Sequence, residues 1–453
     1  MNGKNAAVSR SLFRDFLKYT STNVLSMVGL SLYILADTYF IANGVGEDGL
    51  VALNLVLPVY SLMSGTGLML GVGGAIRYAV DKGRRAAAVA PAGDGGEGAQ
   101  SGNPLRGALL MGLMAAVVFL LLGIIFAGPI VRALGAEGGV GPLARTYLTT
   151  VLCFAPAFVL NSILLAFIRN DGEPRLAMAA MLTASMSNIL LDYVFVFPLG
   201  WGIFGAAFAT GLSPVISLCV LSSHFWRGKS ALSLRGGGAA RGWARLLQAG
   251  FPTFVAEFCP GLIILLFNTV ILRLAGSDGV GAYAVIANVA MVCQSLFSGL
   301  GQGIQPLLSY HTGAGRRQEV RRVFGWACGA ALLFGVLFFM TGLFAAEPMT
   351  ALFNREHNPA LAALAYEGIP LYFLAFLPMG ISVVAVSLFA STGRPKPAFV
   401  VAFVRGFAAL APSLLLLSSL FGMRGVWLSV PTAEVIALLL CLILLWRGTK
   451  RAE

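Results

Sequence analysis

The sequence predicts an all-α polytopic membrane protein, with twelve transmembrane helices in two six-helix bundles related by a pseudo-two-fold axis along the membrane normal. Three observations predict this fold class: the composition, a series of apolar stretches along the whole chain, and an internal repeat. Hydrophobic residues make up 58% of the 453 residues and charged residues only 11%, and the mean hydropathy is +0.84. These values exclude a soluble protein, which needs more polar residues to cover its surface.

Twelve apolar stretches are each about 20 residues or longer, the length that a helix needs to cross the hydrocarbon core of a bilayer. They lie at residues 20–43, 49–78, 105–130, 143–168, 175–198, 202–226, 246–273, 279–309, 323–345, 366–391, 397–420 and 425–446. Proline interrupts several of them, near Pro156, Pro252, Pro260 and Pro378. We therefore expect twelve spans whose ends shift by a few residues.

Lys and Arg are distributed unevenly between alternate loops, and this bias predicts the orientation. With the N-terminus in the cytoplasm, 25 of the 31 Lys and Arg residues fall in cytoplasmic loops and tails, five fall outside, and Arg405 lies within a span. We expect a multi-pass protein of the cell membrane with both termini in the cytoplasm. The net charge of +12 is then explained by the orientation of the protein in the membrane and by contact with anionic membrane lipids. Nucleic acid is not an expected partner.

Short matches recur between the two halves of the chain. Gly-Glu-Pro-Arg at 172–175 corresponds to Gly-Arg-Pro-Lys at 393–396, and the Gly-x-x-Gly at 202–205 to that at 422–425, at offsets of 221 and 220 residues. Because each half holds an even number of spans, the repeats share their orientation and are expected to enclose a central cavity. We predict an N-terminal six-helix bundle at 1–226, a basic cytoplasmic linker at 227–245 and a C-terminal six-helix bundle at 246–453.

Four polar residues lie in three of the apolar stretches at similar depth. Asp37 is on the first span, Asn188 and Asp192 on the fifth, and Thr210 on the sixth. Asn188 and Asp192 are four residues apart, so they share one helix face. A carboxylate at bilayer depth costs about 2.5 to 3.5 kcal/mol even on lenient insertion scales, so a chain that carries two is expected to use them.

Two carboxylates with an amide and a hydroxyl offer several oxygens to Na⁺, and they can equally share a proton. The residue types do not decide between H⁺ and Na⁺ as the coupling ion. The alternative is structural, with Asp37 and Asp192 capping broken helices or pairing with an Arg. Similar depth favours the ion site, and the sequence predicts no other metal site and no bound cofactor.

Two charged residues stand out in the second half. Glu257 lies about halfway along the seventh span and Arg405 near the middle of the eleventh. An ion pair between them would lower the cost of burying both, which makes Arg405 a candidate structural partner. In the functional alternative, Glu257 carries a proton or is the counter-charge to a cationic substrate.

Several motifs around these residues resemble those of multidrug and toxic-compound extrusion transporters, the MATE family. The stretches that carry the resemblance are Ala36-Asp37-Thr38 with Phe40 to Gly44, Arg169 to Arg175, Asn188 to Tyr193, Gly205 to Thr210, Gly250-Phe251-Pro252 with Glu257, and Gly303 to Pro306. Together they extend over nearly the whole chain. One departure lies at 368–391, where some members of the family carry an Asp and this chain has no acid.

The resemblance implies a two-bundle antiporter that exports cationic amphiphilic drugs or metabolites in exchange for Na⁺ or H⁺. The cation site of the family's N-terminal lobe maps onto Asp37, Asn188, Asp192 and Thr210, and its seventh-span acid maps onto Glu257. The missing acid at 368–391 argues against a second Na⁺ site in the C-terminal lobe. We expect a monomer whose partners are a small organic substrate and membrane lipids.

Two other function classes are consistent with a polytopic chain. A flippase of lipid-linked oligosaccharide or another amphiphile is the alternative, but it would need a strongly cationic cavity to hold a pyrophosphate. An intramembrane enzyme would need a nucleophile with its base, or a His and carboxylate set at one depth, and the sequence has no such set. We therefore predict a secondary transporter.

Overall fold

The protein is helical throughout the residues that the computed structural model describes, which are 2–88, 103–226, 230–232, 234, 240–353 and 358–450. The helices are α1 (Asn2–Gly44), α2 (Glu47–Ala88), α3 (Pro104–Ile125), α4 (Ala127–Ala133), α5 (Val140–Cys153), α6 (Ala155–Asp171), α7 (Pro174–Val196), α8 (Gly202–Trp226), α9 (Ala240–Gly313), α10 (Arg317–Phe344), α11 (Ala346–Phe353), α12 (Pro359–Phe373), α13 (Phe376–Ser391), α14 (Pro395–Phe403), a π-helical turn (Val404–Ala408), α15 (Leu410–Phe421) and α16 (Met423–Lys450). No strand occurs within those ranges.

Every predicted span falls on one or two of these helices. In the described part of the chain, nine helical segments are long and apolar enough to cross a membrane, and two bent helix pairs also meet this standard. The all-helical prediction is confirmed. The number twelve stays a prediction, because the predicted spans 246–273 and 279–309 both lie on α9 and are separated there only by a break at Gly276. Of the predicted linker 227–245, residues 227–229, 233 and 235–239 lie outside the described residues.

The segment α9 consists of two helices that meet at a kink with a local cause. Its backbone leaves helical geometry at Gly276, whose φ of 62° favours a residue without a Cβ atom. This residue lies between the predicted spans 246–273 and 279–309, so it turns the chain where the seventh span should end. Pro252 and Pro260 do not interrupt α9, because a proline can be accommodated within a helix whose lost hydrogen bond is compensated elsewhere.

Two predicted spans consist of a bent pair of helices. The pair α5 and α6 bends by 50°, and the pair α12 and α13 bends by 46°. Pro156 occupies the first turn of α6 and Pro378 the first turn of α13. Proline has no backbone N–H and tolerates the start of a helix better than its interior, so each break falls just before the proline.

By their internal contacts the residues form two compact units. The first unit comprises Leu25–Phe258 and Ser309–Arg316, and the second comprises Met1–Val24, Cys259–Leu308 and Arg317–Glu453. The predicted division at 1–226, 227–245 and 246–453 remains a prediction, since compact units and sequence repeats need not share their boundaries.

The first unit packs its helices closely through small residues. Gly71 of α2 lies against α6, where a Cβ atom added to it would come within 2.6 Å of the Ser162 carbonyl oxygen. The apolar interior of this unit includes Met63, Leu148 and Phe167, each fully buried. A close backbone approach of this kind replaces the hydrophobic effect as the source of helix association within lipid.

The second unit has one large apolar cluster. Its most buried large side chains include Phe267, Phe297, Phe373, Phe376 and Trp427. Phe373 and Phe376 pack edge to face with ring centroids 4.9 Å apart, across the break between α12 and α13. Aromatic packing therefore stabilises the bend as well as the helices on either side of it.

Candidate functional site

The four polar residues predicted at similar depth all belong to the first unit. Asp37 lies on α1, Asn188 and Asp192 on α7, and Thr210 on α8. Counted along their helices at 1.5 Å per residue, Asp37 is about 10 Å from the end of α1, Asp192 about 6 Å from the end of α7, and Thr210 about 12 Å from the start of α8.

Helix α7 turns its polar face inward and its apolar face outward. Asn188 and Asp192 are 0% exposed, whereas Leu190 is 63% exposed and Met186 51% exposed. This is the reverse of a helix in a soluble protein, and it fits a helix that presents Leu and Met to lipid. The four-residue spacing of Asn188 and Asp192 places both in the interior, as predicted.

The structure brings Asp37 and Asp192 into direct contact. Their carboxyl groups are close enough for one to donate a hydrogen bond to the other when it carries a proton. Both residues are buried, Asp37 being 7% exposed. A pair of carboxyl groups in contact is chemically suited to sharing a proton or holding a cation, because two negative charges in contact repel each other strongly.

Four oxygen atoms of the cluster have no hydrogen-bond donor in the described part of the chain when both carboxyl groups are ionised. They are Oδ1 of Asp37, Oδ1 of Asn188 and both carboxylate oxygens of Asp192. A buried polar atom left without a partner costs about 1 to 3 kcal/mol, so a cluster of four calls for an explanation. Oxygen ligands without donors suit a proton or a hard cation such as Na⁺.

Tyrosine residues extend this polar region toward Glu257. Tyr60 of α2 hydrogen bonds with Tyr33 of α1 and lies near enough to Asp37 and Glu257 to interact electrostatically with each. The hydroxyl group of Ser64 donates a hydrogen bond to Oε1 of Glu257 at 3.3 Å. Tyr33 and Asp37 are four residues apart, as are Tyr60 and Ser64, so each pair lies on one helix face. This spacing is visible in the sequence and could have assigned the tyrosines to the polar region, which a comparison of depths alone does not do.

The predicted pairing of Arg405 with Glu257 is corrected by the structure. Arg405 stands in the π-helical turn of the second unit, and its Nη2 and Nε donate to Oε1 of Glu434 at 2.8 and 3.1 Å. Glu257 belongs to the first unit and accepts from Ser64 instead. Arg405 and Glu257 each contact a polar side chain of their own unit, where helix packing fixes the distance between the two groups.

Glu434 is the acid that sequence reasoning missed. It lies 11 residues into α16 and its side chain is 5% exposed. An acid in the middle of an apolar stretch is a signal in itself, as for Asp37. Its ion pair with Arg405 identifies it as a group that is neutralised within the protein.

A second polar cluster lies where α6 ends. The buried Asp171 carboxylate accepts hydrogen bonds from the Tyr78 hydroxyl at 2.5 Å, the Lys82 Nζ at 3.3 Å and the Ala231 backbone N–H at 3.1 Å. The His224 ring Nε2 lies 2.9 Å from the other carboxylate oxygen. These contacts join α2, α6 and α8 to the start of the chain segment that follows α8, so we interpret the Asp171 cluster as structural.

Comparison with known proteins agrees with this architecture. A family model described as MatE matches residues 99–194 and 252–412, more than half of the chain. The chain belongs to the MatE family. Its members are secondary multidrug efflux transporters and not enzymes, so the predicted class of membrane transporter with small-molecule substrates is confirmed.

Related sequences and structures extend over nearly the whole chain of this MatE protein. It is 24% identical to the multidrug export protein MepA of Staphylococcus saprophyticus subsp. saprophyticus, over 96% of this chain and 94% of the relative. It is 25% identical to MepA of Staphylococcus aureus strain NCTC 8325, with the same coverage.

Two solved structures resemble the fold of this MatE protein closely. A mutant of the Vibrio cholerae MATE transporter VcmN gives a TM-score of 0.86 at 19% identity, over 98% of each chain. The MATE multidrug transporter DinF-BH, solved as a complex, gives a TM-score of 0.85 at 25% identity, over 96% of this chain and 95% of that one. The predicted all-α polytopic fold class is thereby confirmed.

Proposed function

We propose that this MatE protein exports organic, cationic amphiphilic drugs or metabolites by alternating access, in exchange for H⁺ or Na⁺. The coupling ion binds at Asp37, Asn188, Asp192 and Thr210. The observation that carries the proposal is the buried contact between the two carboxyl groups, together with four oxygens of Asp37, Asn188 and Asp192 that receive no donor from the described residues when both carboxyl groups are ionised. The names of the MepA relatives and of the multidrug transporter DinF-BH support a drug-like cargo.

Charge repulsion supplies the coupling free energy. Two unit charges about 4 Å apart interact by about 4 kcal/mol at an effective dielectric constant of about 20. An empty, doubly ionised site therefore pushes α1 and α7 apart at Asp37 and Asp192, and a bound H⁺ or Na⁺ allows them to close. Coupling requires that the ion and the cargo favour different conformations, and this site distinguishes conformations by the separation of two carboxylates.

Glu257 is the second acid of the proposed mechanism. Its hydrogen bond from Ser64 and its interaction with Tyr60 place it in a polar environment continuous with the Asp37 side of α1. It serves either as a proton carrier or as the counter-charge to a cationic cargo. The Glu257→Gln variant separates these roles, since loss of the counter-charge weakens export of ethidium but spares an uncharged cargo, whereas loss of a proton carrier impairs both.

The test is ethidium efflux from proteoliposomes that contain the full-length protein, under an imposed pH gradient and separately under an imposed Na⁺ gradient. We expect one gradient to drive the wild type and to fail with Asp37→Asn, because an amide cannot exchange the ion. Asp15→Asn is the matched control, since this acid is on the same helix α1 but outside the cluster. Gradient-driven efflux by folded Asp37→Asn at the wild-type rate would contradict the assignment.

The flippase alternative is not favoured. The relatives that align over 96% of the chain are named multidrug export proteins. Asp37, Asp192 and Glu257 are acids, and they would repel a pyrophosphate. The proposal also includes a monomer in the cell membrane with both termini in the cytoplasm, as the distribution of Lys and Arg predicts.

A further inference from the structure

A groove of about 850 Å³ lies on the first unit where α3, α4 and the start of α5 meet. Arg132 of α4 and Arg145 of α5 line it, together with the hydroxyl-bearing residues Thr146 and Thr149. No acidic residue is among the residues that line the groove. It is separate from the Asp37 cluster and plays no part in the coupling mechanism proposed above.

Among the described residues, no carboxylate lies within 4.0 Å of the guanidinium group of Arg132 or Arg145. Two acids belong to neighbouring parts of the chain, Glu137 in the connection between α4 and α5 and Asp48, which lies against Gly139, and neither lines the groove. Two unpaired guanidinium groups in one concave site favour an anion with several acceptor oxygens, as in a phosphate group.

The surface leading into the groove is apolar. Along α3, the exposed residues Met114, Val118, Leu121 and Ile125 follow the helical repeat and form a stripe. The stripe covers 12 residues, so its 11 rises of 1.5 Å give about 16 Å, which is close to half of the roughly 30 Å hydrocarbon core of a bilayer. Its end at Ile125 is also part of the groove lining.

The combination of a cationic groove at the end of an apolar stripe one leaflet long matches the shape of a phospholipid. We propose that the groove binds the phosphate group of an anionic glycerophospholipid between Arg132 and Arg145, with an acyl chain along the stripe of α3. A free phosphate ion would use the two arginines but would leave the stripe without a function. The bound lipid is a fixed constituent of the transporter surface, distinct from the exported cargo.

The test is native mass spectrometry of the full-length protein released from detergent micelles, titrated with dioleoylphosphatidylglycerol. Arg132→Gln and Arg145→Gln should each weaken binding about five-fold, and the double variant about 25-fold, because each removes one cation from the phosphate site. Arg273→Gln is the matched control, since Arg273 is also exposed, lies at the outer end of the predicted seventh span and is outside the groove. It should bind as the wild type does.

Two further probes separate the sources of the phosphate chemistry. Dioleoylglycerol carries the same chains without a phosphate, and its binding should not respond to the arginine substitutions. Inorganic phosphate at millimolar concentration should not displace the lipid. Unchanged lipid binding by the double variant, an equal loss in Arg273→Gln, or displacement by inorganic phosphate would each overturn the proposal. All three arginines are exposed, so the variants should fold, and thermal unfolding curves that coincide with the wild type verify this.

Discussion

The buried ion pair between Arg405 and Glu434 yields a quantitative prediction about the stability of the second unit. The side chain of Arg405 is 20% exposed and that of Glu434 only 5% exposed, and hydrogen bonds of 2.8, 3.1 and 3.4 Å join them. Removing one partner leaves the other charge buried and uncompensated, which costs about 3 to 5 kcal/mol. Because Arg405 keeps some access to the surroundings, we expect Glu434→Gln to lower the free energy of unfolding by about 3 kcal/mol.

A shift of that size changes the folding equilibrium roughly 100-fold, since about 1.4 kcal/mol corresponds to a factor of ten. Equilibrium unfolding by SDS in mixed micelles, followed by far-ultraviolet circular dichroism, measures it. The matched control is Arg424→Gln, which breaks the ion pair of Arg424 with Glu367 on the surface of the same unit. Those side chains are 73% and 36% exposed, so the control should change stability by less than about 1 kcal/mol.

The double variant Arg405→Met with Glu434→Met tests the physical reason. With both charges replaced by apolar groups of similar length, no uncompensated charge remains, and most of the lost stability should return. The reasoning would be refuted if Glu434→Gln were as mild as Arg424→Gln, or if the double variant were no more stable than the single one.

Two other substitutions test the packing of the first unit by the same unfolding measurement. Gly71→Ala should lower the free energy of unfolding by about 1 to 3 kcal/mol, because its Cβ atom would overlap α6. The control is Gly329→Ala on α10, where a Cβ atom meets nothing within 4 Å, and this variant should not be destabilised. Equal losses of stability in the two variants would refute the close approach of α2 to α6. Asp171→Asn should cost about 2 to 4 kcal/mol, because a buried carboxylate with four partners becomes a neutral amide. Asp81→Asn removes a 3.8 Å ion pair with Arg84, whose side chain is 70% exposed, and should cost less than about 1 kcal/mol. A comparable loss of stability in the Asp171 and Asp81 variants would contradict a structural role specific to Asp171.

The fold class could be predicted from the sequence because the bilayer imposes it. In hydrocarbon every backbone N–H and C=O group needs an internal partner, so an apolar stretch of sufficient length becomes a helix whatever its neighbours are. The spans 105–130 and 175–198, for example, correspond closely to α3 and α7. The breaks before Pro156 and Pro378 also follow from local chemistry.

The cluster of Asp37, Asn188, Asp192 and Thr210 could be selected by depth, because depth depends only on the distance along each helix. The pairing of polar groups could not be predicted in this way. It depends on the rotation of each helix about its axis and on which helices are neighbours, and both are set by packing of residues far apart in the sequence. For that reason depth alone permits an ion pair between Arg405 and Glu257, whereas packing joins Arg405 to Glu434.

The sequence by itself thus determined the apolar helices and the depth of the polar residues, since these follow from composition and spacing along a single segment. Only the tertiary structure decided the contact of the two carboxyl groups, the partners of Glu257, Arg405 and Asp171, and the groove between α3, α4 and α5. The physical reason is that hydrophobicity places a helix in the membrane without specifying its partners. Close packing of side chains at small residues such as Gly71 fixes which polar atoms come within hydrogen-bonding distance.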